Sequence, residues 1–283
     1  MLLGYNTNGL AHHRWDDAIE LIAAAGYRSA AITVDHHCLD PASATFRTDL
    51  ARMSALLERC RLRCVIETGA RFLLNPARKH QPTLLSPTAA EREIRLRFLR
   101  QCIDIAAELR ADAVSFWSGA AVDAAHADVL WERLVEGCRR LADHADARDV
   151  RLAFEPEPGM FLETRAQYRQ LRERVNHSQF GLTLDVGHVH CLQDGSIADH
   201  IREFAPVLFN IHIEDMLPGE HEHLRFGAGT IDVFPIFRAL HEVRYAGGVH
   251  VELSRHSHIA PVVLRESLEF LSRQQAAAES RPT

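Results

Sequence analysis

Three carboxylates and one imidazole stand at the ends of four short apolar segments. Glu155 follows "RLAF", Asp185 follows "FGLTL", His212 follows "LFNI" and Glu252 follows "GVHV". Carboxylates gathered in a low-dielectric interior repel one another unless a cation neutralises them. Oxygen-rich ligation with one imidazole suits Mn²⁺, Mg²⁺, Co²⁺ or Zn²⁺, and the ligand set does not choose among these ions. The residue types therefore predict one divalent metal site, provided that the fold brings the four side chains together.

The elements that must position these residues alternate regularly along the chain. Eight β-type segments occupy residues 2–8, 29–35, 64–69, 113–118, 151–157, 180–186, 208–215 and 248–254. Between them apolar residues recur every three or four positions, as in "DDAIELIAAAG", which is typical of amphipathic helices. Eight βα units predict an α/β fold, a closed (β/α)₈ TIM barrel rather than an open sheet. No linker divides the chain, so we expect one domain over residues 1–273 and a frayed tail at 274–283.

Alternation along each strand predicts which side chains point into the barrel. In the fifth strand Leu152 and Phe154 share one face, whereas Glu155 and Glu157 share the other. The sixth, seventh and eighth strands repeat this design. The apolar face packs against the helices, so the polar face points inward, near the strand ends where barrel enzymes build their sites. A single acidic strand end is more often a helix cap, but four in one phase on successive strands favour convergence.

Composition excludes several classes of partner. The net charge is −6 and no basic stripe is present, which argues against nucleic acid and anionic membranes and favours a small-molecule substrate. No run approaches the roughly 20 apolar residues of a membrane span, and the N-terminus lacks a signal-peptide pattern. The six cysteines form no CxxC pair, so we expect a cytoplasmic protein in a reducing compartment. A homo-oligomer is compatible with these features.

The longest irregular stretch, residues 70–87, carries four basic side chains: Arg71, Arg78, Lys79 and His80. They either close over an anionic group, such as a carboxylate or phosphate, or form a solvated surface loop. Lys79 is the only lysine in the chain, and its place in a loop rich in proline and arginine argues against a Schiff-base aldolase.

The four polar strand ends resemble the xylose isomerase-like TIM-barrel superfamily of sugar isomerases and epimerases, which includes class II abasic-site endonucleases. The matching pieces are "FEPEP", "LDVGH", "NIHIED" and "HVELS", in the family's order. The resemblance implies that Glu155, Asp185, His212 and Glu252 bind one divalent metal ion, with manganese among the candidates. It also implies that Glu155 and Glu252 act as acid and base on opposite faces of a sugar-like hydroxy-carbonyl substrate. The implied activity is a metal-dependent isomerase or epimerase of carbohydrate metabolism, working through a metal-stabilised enediolate.

Substrate-binding residues follow from the same resemblance, with departures. His188 matches a family histidine that contacts a substrate oxygen; alternatively it bonds a backbone carbonyl at a helix start. The arginine expected after His212 is replaced by Pro218, and Arg225 is the nearest substitute. Trp117 ends the fourth strand and either stacks on a sugar face or belongs to the core.

A second departure follows Glu155. The family's additional substrate-binding glutamate is Phe161 here, so Glu157 or Glu163 has to substitute. The resemblance to simple ketose 3-epimerases is therefore incomplete outside the metal site, and a metal-dependent lyase or dehydratase on a related polyol is the alternative reaction.

His221 and His223, in "HEHLRFGAGTID", follow the seventh strand. His223 is a candidate substrate contact, and both histidines could bind a second metal, although an exposed loop with incidental histidines is slightly favoured over that role. Abasic-site endonucleases also need histidines at the third and fourth strand ends. This chain has "ETG" and "WSG" there, so a zinc hydrolase acting on DNA is the least favoured alternative.

Overall fold

Eight parallel strands close into a barrel in a computed structural model that describes residues 1–280. The barrel strands are β1 (Leu2–Asn6), β2 (Ser29–Thr33), β3 (Arg63–Glu67), β4 (Val114–Phe116), β5 (Leu152–Phe154), β6 (Phe180–Asp185), β7 (Leu208–Ile213) and β10 (Gly248–Val251). Their order around the barrel is β1-β10-β7-β6-β5-β4-β3-β2. The predicted (β/α)₈ barrel is confirmed.

Helices connect the strands on the outside of the barrel. Within residues 1–280 they are α1 (Trp15–Ala25), α2 (Phe46–Cys60), α3 (Ala89–Leu109), α4 (Ala127–Asp146), α5 (Arg165–Val175), α6 (Val186–Cys191), α7 (Ile197–Phe204), α8 (Val233–Glu242) and α9 (Ala260–Ser280). The connection after β6 holds two helices where the sequence predicted one. Asp185 caps α6 directly at the strand end, and Gly195, with φ of 86°, lies in the turn before α7.

A hairpin after β7 was not predicted. Strands β8 (Asp215–Leu217) and β9 (Glu220–Leu224) pair antiparallel beside the barrel. Asp215 fixes the hairpin's base, because its carboxylate accepts hydrogen bonds from the backbone N–H groups of Gly227 and Ile231 at 2.8 and 3.0 Å. The hairpin carries His221 and His223, which the sequence assigned to a loop.

The predicted strand phase agrees with the packing. Leu152 and Phe154 of β5 are buried in the layer between barrel and helices, where Phe154 contacts Phe180 and Tyr168 at ring distances of 6.0 and 6.4 Å. The barrel strands end earlier than predicted on the side of the polar residues. Glu155 lies one residue beyond β5, although its N–H still donates to the Phe116 carbonyl at 2.8 Å.

The C-terminal segment differs from the expected frayed tail. Helix α9 continues to Ser280, so residues 274–280 are its last turns, and Ala278 is buried against the core. Residues 281–283 of the predicted tail lie outside the described residues. Among residues 1–280 no helix combines the length and the apolar character that a membrane crossing requires.

Candidate active site

The four polar strand ends converge at the carboxyl end of the barrel. Ligand atoms of Glu155, Asp185, His212 and Glu252 all lie within 4.8 Å of one another. His212 Nδ1 is 3.0 Å from a Glu155 oxygen, 2.9 Å from a Glu252 oxygen and 3.8 Å from Asp185 Oδ2. Parallel register explains part of this geometry, because Asp185 and His212 are direct neighbours on β6 and β7.

The two carboxylate oxygens of Asp185 differ in their hydrogen bonding. Its Oδ1 accepts the His188 backbone N–H at 2.8 Å as the cap of α6. Its Oδ2 is buried without a hydrogen-bond partner among the described residues. A buried carboxylate oxygen without a partner is costly, and a cation next to it removes that cost. This atom is therefore an observation in favour of a metal at the cluster.

The charges of the cluster are unbalanced. Burial raises the pKa of Glu155 to about 7, and the neighbouring Glu252 and Asp185 push it in the same direction. Burial also opposes ionisation of Glu252, but the contact with His212 lowers the pKa of this carboxyl well below its usual range. One imidazole thus faces three carboxyl groups. The donor set and its excess of negative charge fit a divalent cation.

Glu67 is a site residue that the sequence analysis missed. It ends β3, and its Oε1 lies 2.9 Å from His212 Nε2 and accepts from Asn210 Nδ2 at 3.2 Å. His212 therefore donates its Nε2 proton to Glu67 and turns Nδ1 toward Glu155 and Glu252. A carboxylate behind a histidine ligand fixes the ring orientation and tautomer in metal sites. The inward phase used for strands five to eight identifies Glu67 when it is applied to β3.

Asn8 is a second missed residue. It lies in a 3-10 helix, Thr7–Leu10, directly after β1, and its Nδ2 donates to Glu252 Oε1 at 2.7 Å. This bond holds one oxygen of Glu252 while the other faces His212. The sequence analysis placed Asn8 at the end of its first strand, residues 2–8, but the strand ends at Asn6 and a 3-10 helix carries Asn8.

A cavity of about 560 Å³ opens above the cluster. It contains four of the five predicted substrate-binding residues: Trp117, Glu157, His188 and His223. Burial, together with the charges of Glu155 and Glu252, raises the pKa of Glu157 to about 8. The fifth residue, Arg225, is not in the cavity wall; it forms an ion pair with Glu266 on the outer surface. The expectation for Arg225 finds no support in this geometry, because the β8–β9 hairpin directs it away from the mouth.

Three histidines form a second cluster beside the first. His188 is 3 % exposed, its Nδ1 donates to the Pro156 carbonyl at 3.2 Å, and its Nε2 is 3.1 Å from that of His221. Ligand atoms of His188, His221 and His223 lie within 4.8 Å of one another. The hairpin histidines therefore face the cavity, unlike incidental residues of an exposed loop.

Buried acids adjoin this second cluster. Glu214 is fully buried behind His223, with 3.7 Å between His223 Nδ1 and Glu214 Oε2. Burial and the charge of Asp185 raise the pKa of Glu214 well above its usual value. The two clusters are thus continuous through Asp185, which has a ligand atom near each of them.

The fold and this site define a barrel protein with an acidic centre at its mouth, formed by Glu155, Asp185, His212 and Glu252. Comparison with known proteins identifies the family. The sequence pattern of the xylose isomerase-like TIM barrel matches residues 12–274. The chain therefore belongs to this family, as the motifs predicted.

Relatives of the chain include sugar epimerases and dehydratases. An inosose dehydratase from Lacticaseibacillus casei is 28% identical over 142 residues, which cover 44% of this chain and 47% of that protein. A solved L-ribulose 3-epimerase superposes with a TM-score of 0.79 at 20% identity, over 98% of this chain and 95% of the other. The IolI protein with a bound zinc atom superposes with a TM-score of 0.79 at 18% identity, over 99% and 100% of the two chains.

Proposed function

We propose that this protein is a divalent-metal-dependent isomerase or epimerase that moves a proton at the carbon next to a carbonyl of a sugar-like substrate. The observation that carries the proposal is the placement of Glu155 and Glu252, which approach the same nitrogen of His212 at 3.0 and 2.9 Å. The two glutamates follow β5 and β10, with β6 and β7 between them in the barrel wall. They therefore enter the cavity from points three strand positions apart on the barrel rim.

The two carboxyl groups can carry the proton transfers. One carboxylate removes the proton from the substrate carbon, and the electron pair of that C–H bond passes into an enediolate. The other carboxyl group returns a proton to the same carbon from the other face and inverts it. Return of the proton to the neighbouring carbon isomerises the sugar instead, with the hydroxyl proton passing from one enediolate oxygen to the other. Asn8 orients Glu252 through its hydrogen bond to the carboxylate.

The resident cation would be held by Glu155, Asp185, His212 and Glu252. When bound, a divalent ion acidifies the C–H bond by polarising the adjacent oxygens and stabilises the negative charge of the enediolate. Glu67 positions His212, and the partly buried cavity limits competing water.

Elimination is a second candidate reaction. The relation to inosose dehydratase, at 28% identity over about half of each chain, favours it. The same enediolate can expel a hydroxide from the next carbon, with the second carboxyl group protonating the leaving oxygen. Both reactions begin with the same proton abstraction, so the fate of the enediolate distinguishes them.

Solvent-isotope exchange tests both reactions at once. The metal-loaded enzyme is incubated in D₂O with a panel of ketoses and inososes, and the substrates are followed by NMR. Deuterium at the carbon next to the carbonyl, with an isomer as product, supports the isomerase. Loss of one water per turnover supports the dehydratase. No exchange and no elimination with any compound, by a protein that holds its metal, would contradict the proposal.

A further inference from the structure

The segment between β3 and α3 forms one wall of the cavity. The charge of this wall is positive, whereas that of the acidic centre is negative. Arg71 and Lys79 of this segment both line the cavity. Among the residues that the structure describes, neither side chain has a hydrogen bond or an ion pair with an anionic group. Arg255, at the same mouth, is by contrast paired with Glu222 at 2.7 Å. The cavity therefore presents two cationic groups that lack a counter-charge; we call Arg71 and Lys79 the basic rim.

The basic rim is fixed to the barrel. His80 Nδ1 lies 2.9 Å from the Gly69 carbonyl, and the His80 N–H donates to the Arg71 carbonyl at 2.6 Å. The His80 ring packs edge-on against Trp117 with 5.3 Å between centroids, and the buried Arg95 guanidinium lies 4.7 Å from the same tryptophan ring. A ligand that binds here meets a segment that is already ordered, which lowers the entropic cost of binding.

The cationic groups around this segment all act on His80. Burial lowers the pKa of His80, and the charges of Lys79, Arg95 and Arg71 lower it further. Like charges at one wall raise the free energy of the unliganded protein and create a positive potential in the cavity. An anion bound at this wall of the cavity offsets the positive potential. An arginine fork and a mobile ammonium group together suit the oxygens of a carboxylate or a phosphate.

We propose that the basic rim binds an anionic group of the substrate, a carboxylate or a phosphate, while the hydroxy-carbonyl part lies at the acidic centre. The inference rests on the proposed function and names its substrate class: a sugar acid or a sugar phosphate rather than a neutral sugar. The reacting carbon of the substrate lies at the acidic centre, and the basic rim binds the charged end of the same substrate molecule.

Arg78 provides a matched control on the same segment. It is exposed and adjacent to Lys79, yet it does not line the cavity. A general attraction of anions to the loop depends on Arg78 as much as on its neighbours, whereas a subsite inside the cavity depends on Arg71 and Lys79 alone.

Calorimetry with unreactive ligands tests the proposal without relying on turnover. Xylitol, xylitol 5-phosphate and xylonate are titrated into manganese-loaded wild type, Arg71→Gln/Lys79→Gln and Arg78→Gln. We expect at least one charged ligand to bind wild type about 10-fold or more tighter than xylitol, since two charge-assisted contacts are gained. The double variant loses this preference and keeps the affinity for xylitol, and Arg78→Gln keeps the preference.

The ligand that wild type prefers identifies the anion. Preference for xylitol 5-phosphate alone assigns a phosphate, preference for xylonate alone assigns a carboxylate, and preference for both assigns a general anion subsite.

Three results would overturn the proposal. The first is equal affinity of wild type for the three ligands. The second is a preference for charged ligands that persists in the double variant, because the metal itself then binds the anion. The third is a loss of this preference in Arg78→Gln that equals the loss in the double variant. The outcome is separable from the proposed function. Charge-selective binding without deuterium exchange contradicts the function alone, whereas exchange into neutral sugars with no preference for charge contradicts the basic rim alone.

Discussion

The acidic centre and the basic rim line the same cavity but are built in different ways. The acidic centre consists of strand ends, and its three carboxyl groups approach one nitrogen of His212 to within 4 Å. The basic rim belongs to a connection without helix or strand, and its two cations have no partner in the described part of the chain. In the acidic centre the barrel forces like charges together. In the basic rim an irregular segment presents two cationic side chains to a ligand in the cavity.

This difference separates two kinds of role. Groups on rigid strand ends are held within the tolerance that proton transfer and metal binding require. Groups on a connecting segment can differ without disturbing the barrel and suit the choice of substrate. We therefore expect substitutions in the acidic centre to affect turnover and metal content, and those at the mouth to affect substrate affinity.

The largest effect is expected from removing one of the two proposed acid–base groups. Glu155→Gln and Glu252→Gln keep the volume of the side chain and remove the ability to exchange a proton, so kcat should fall by about 10²–10⁴-fold. Steady-state kinetics and circular dichroism of both variants check this, with Glu173→Gln on the surface of α5 as control. Turnover near that of wild type in both variants would remove the two-carboxylate mechanism.

The next largest effect is expected at Glu67, which orients His212, the proposed metal ligand. Glu67→Gln weakens the acceptor behind His212 and should lower the affinity for a divalent ion by about 10–100-fold, as outer-shell partners commonly do. Titration with Mn²⁺ and a competing chelator measures this without substrate. An unchanged dissociation constant would show that the Glu67 bond to His212 does not orient the ligand.

A smaller effect is expected at the mouth. His188→Ala removes an imidazole from the cavity wall but leaves the four groups of the acidic centre in place, so KM should rise about 10-fold with kcat less affected. A matched substitution, His190→Ala, affects a nearby half-buried histidine that bonds Thr230 outside the cavity. Unchanged kinetic constants in His188→Ala would refute a contact with substrate.

The smallest effect is expected for Arg225. Because this side chain pairs with Glu266 on the surface, Arg225→Ala should change kcat/KM by less than about 2-fold and stability by about 0–1 kcal/mol. A loss of kcat/KM above 10-fold would restore the role that the sequence motif implied.

Much of the acidic centre was predictable because it obeys a short-range rule. Alternation along β5, β6, β7 and β10 identifies the inward side chains, and parallel strands end at the same face of the barrel. The same rule also covers Glu67 on β3. The predicted first strand, residues 2–8, included Asn8, but the strand ends at Asn6, and the contact of Asn8 with Glu252 joins residues 244 positions apart. Only the closed barrel brings them together.

The surroundings of the site were less predictable for a related reason. The β8–β9 hairpin sends Arg225 outward while it brings His221 and His223 against His188. Residues only two positions apart, His223 within β9 and Arg225 just after it, thus take opposite directions, which depends on how the hairpin packs on the barrel and not on local pattern. The wall formed by Arg71 and Lys79 likewise depends on the path of an irregular segment.

Metal content tests the central claim most directly. Purified wild type and the Asp185→Ala/His212→Ala variant are exposed to Mn²⁺, Co²⁺, Zn²⁺ or Mg²⁺, freed of unbound ions and analysed by ICP-MS, with circular dichroism to verify that the variant is folded. The acidic centre predicts about one equivalent in wild type and little in the variant. Wild type without metal after reconstitution, or a folded variant with the same content as wild type, would contradict it.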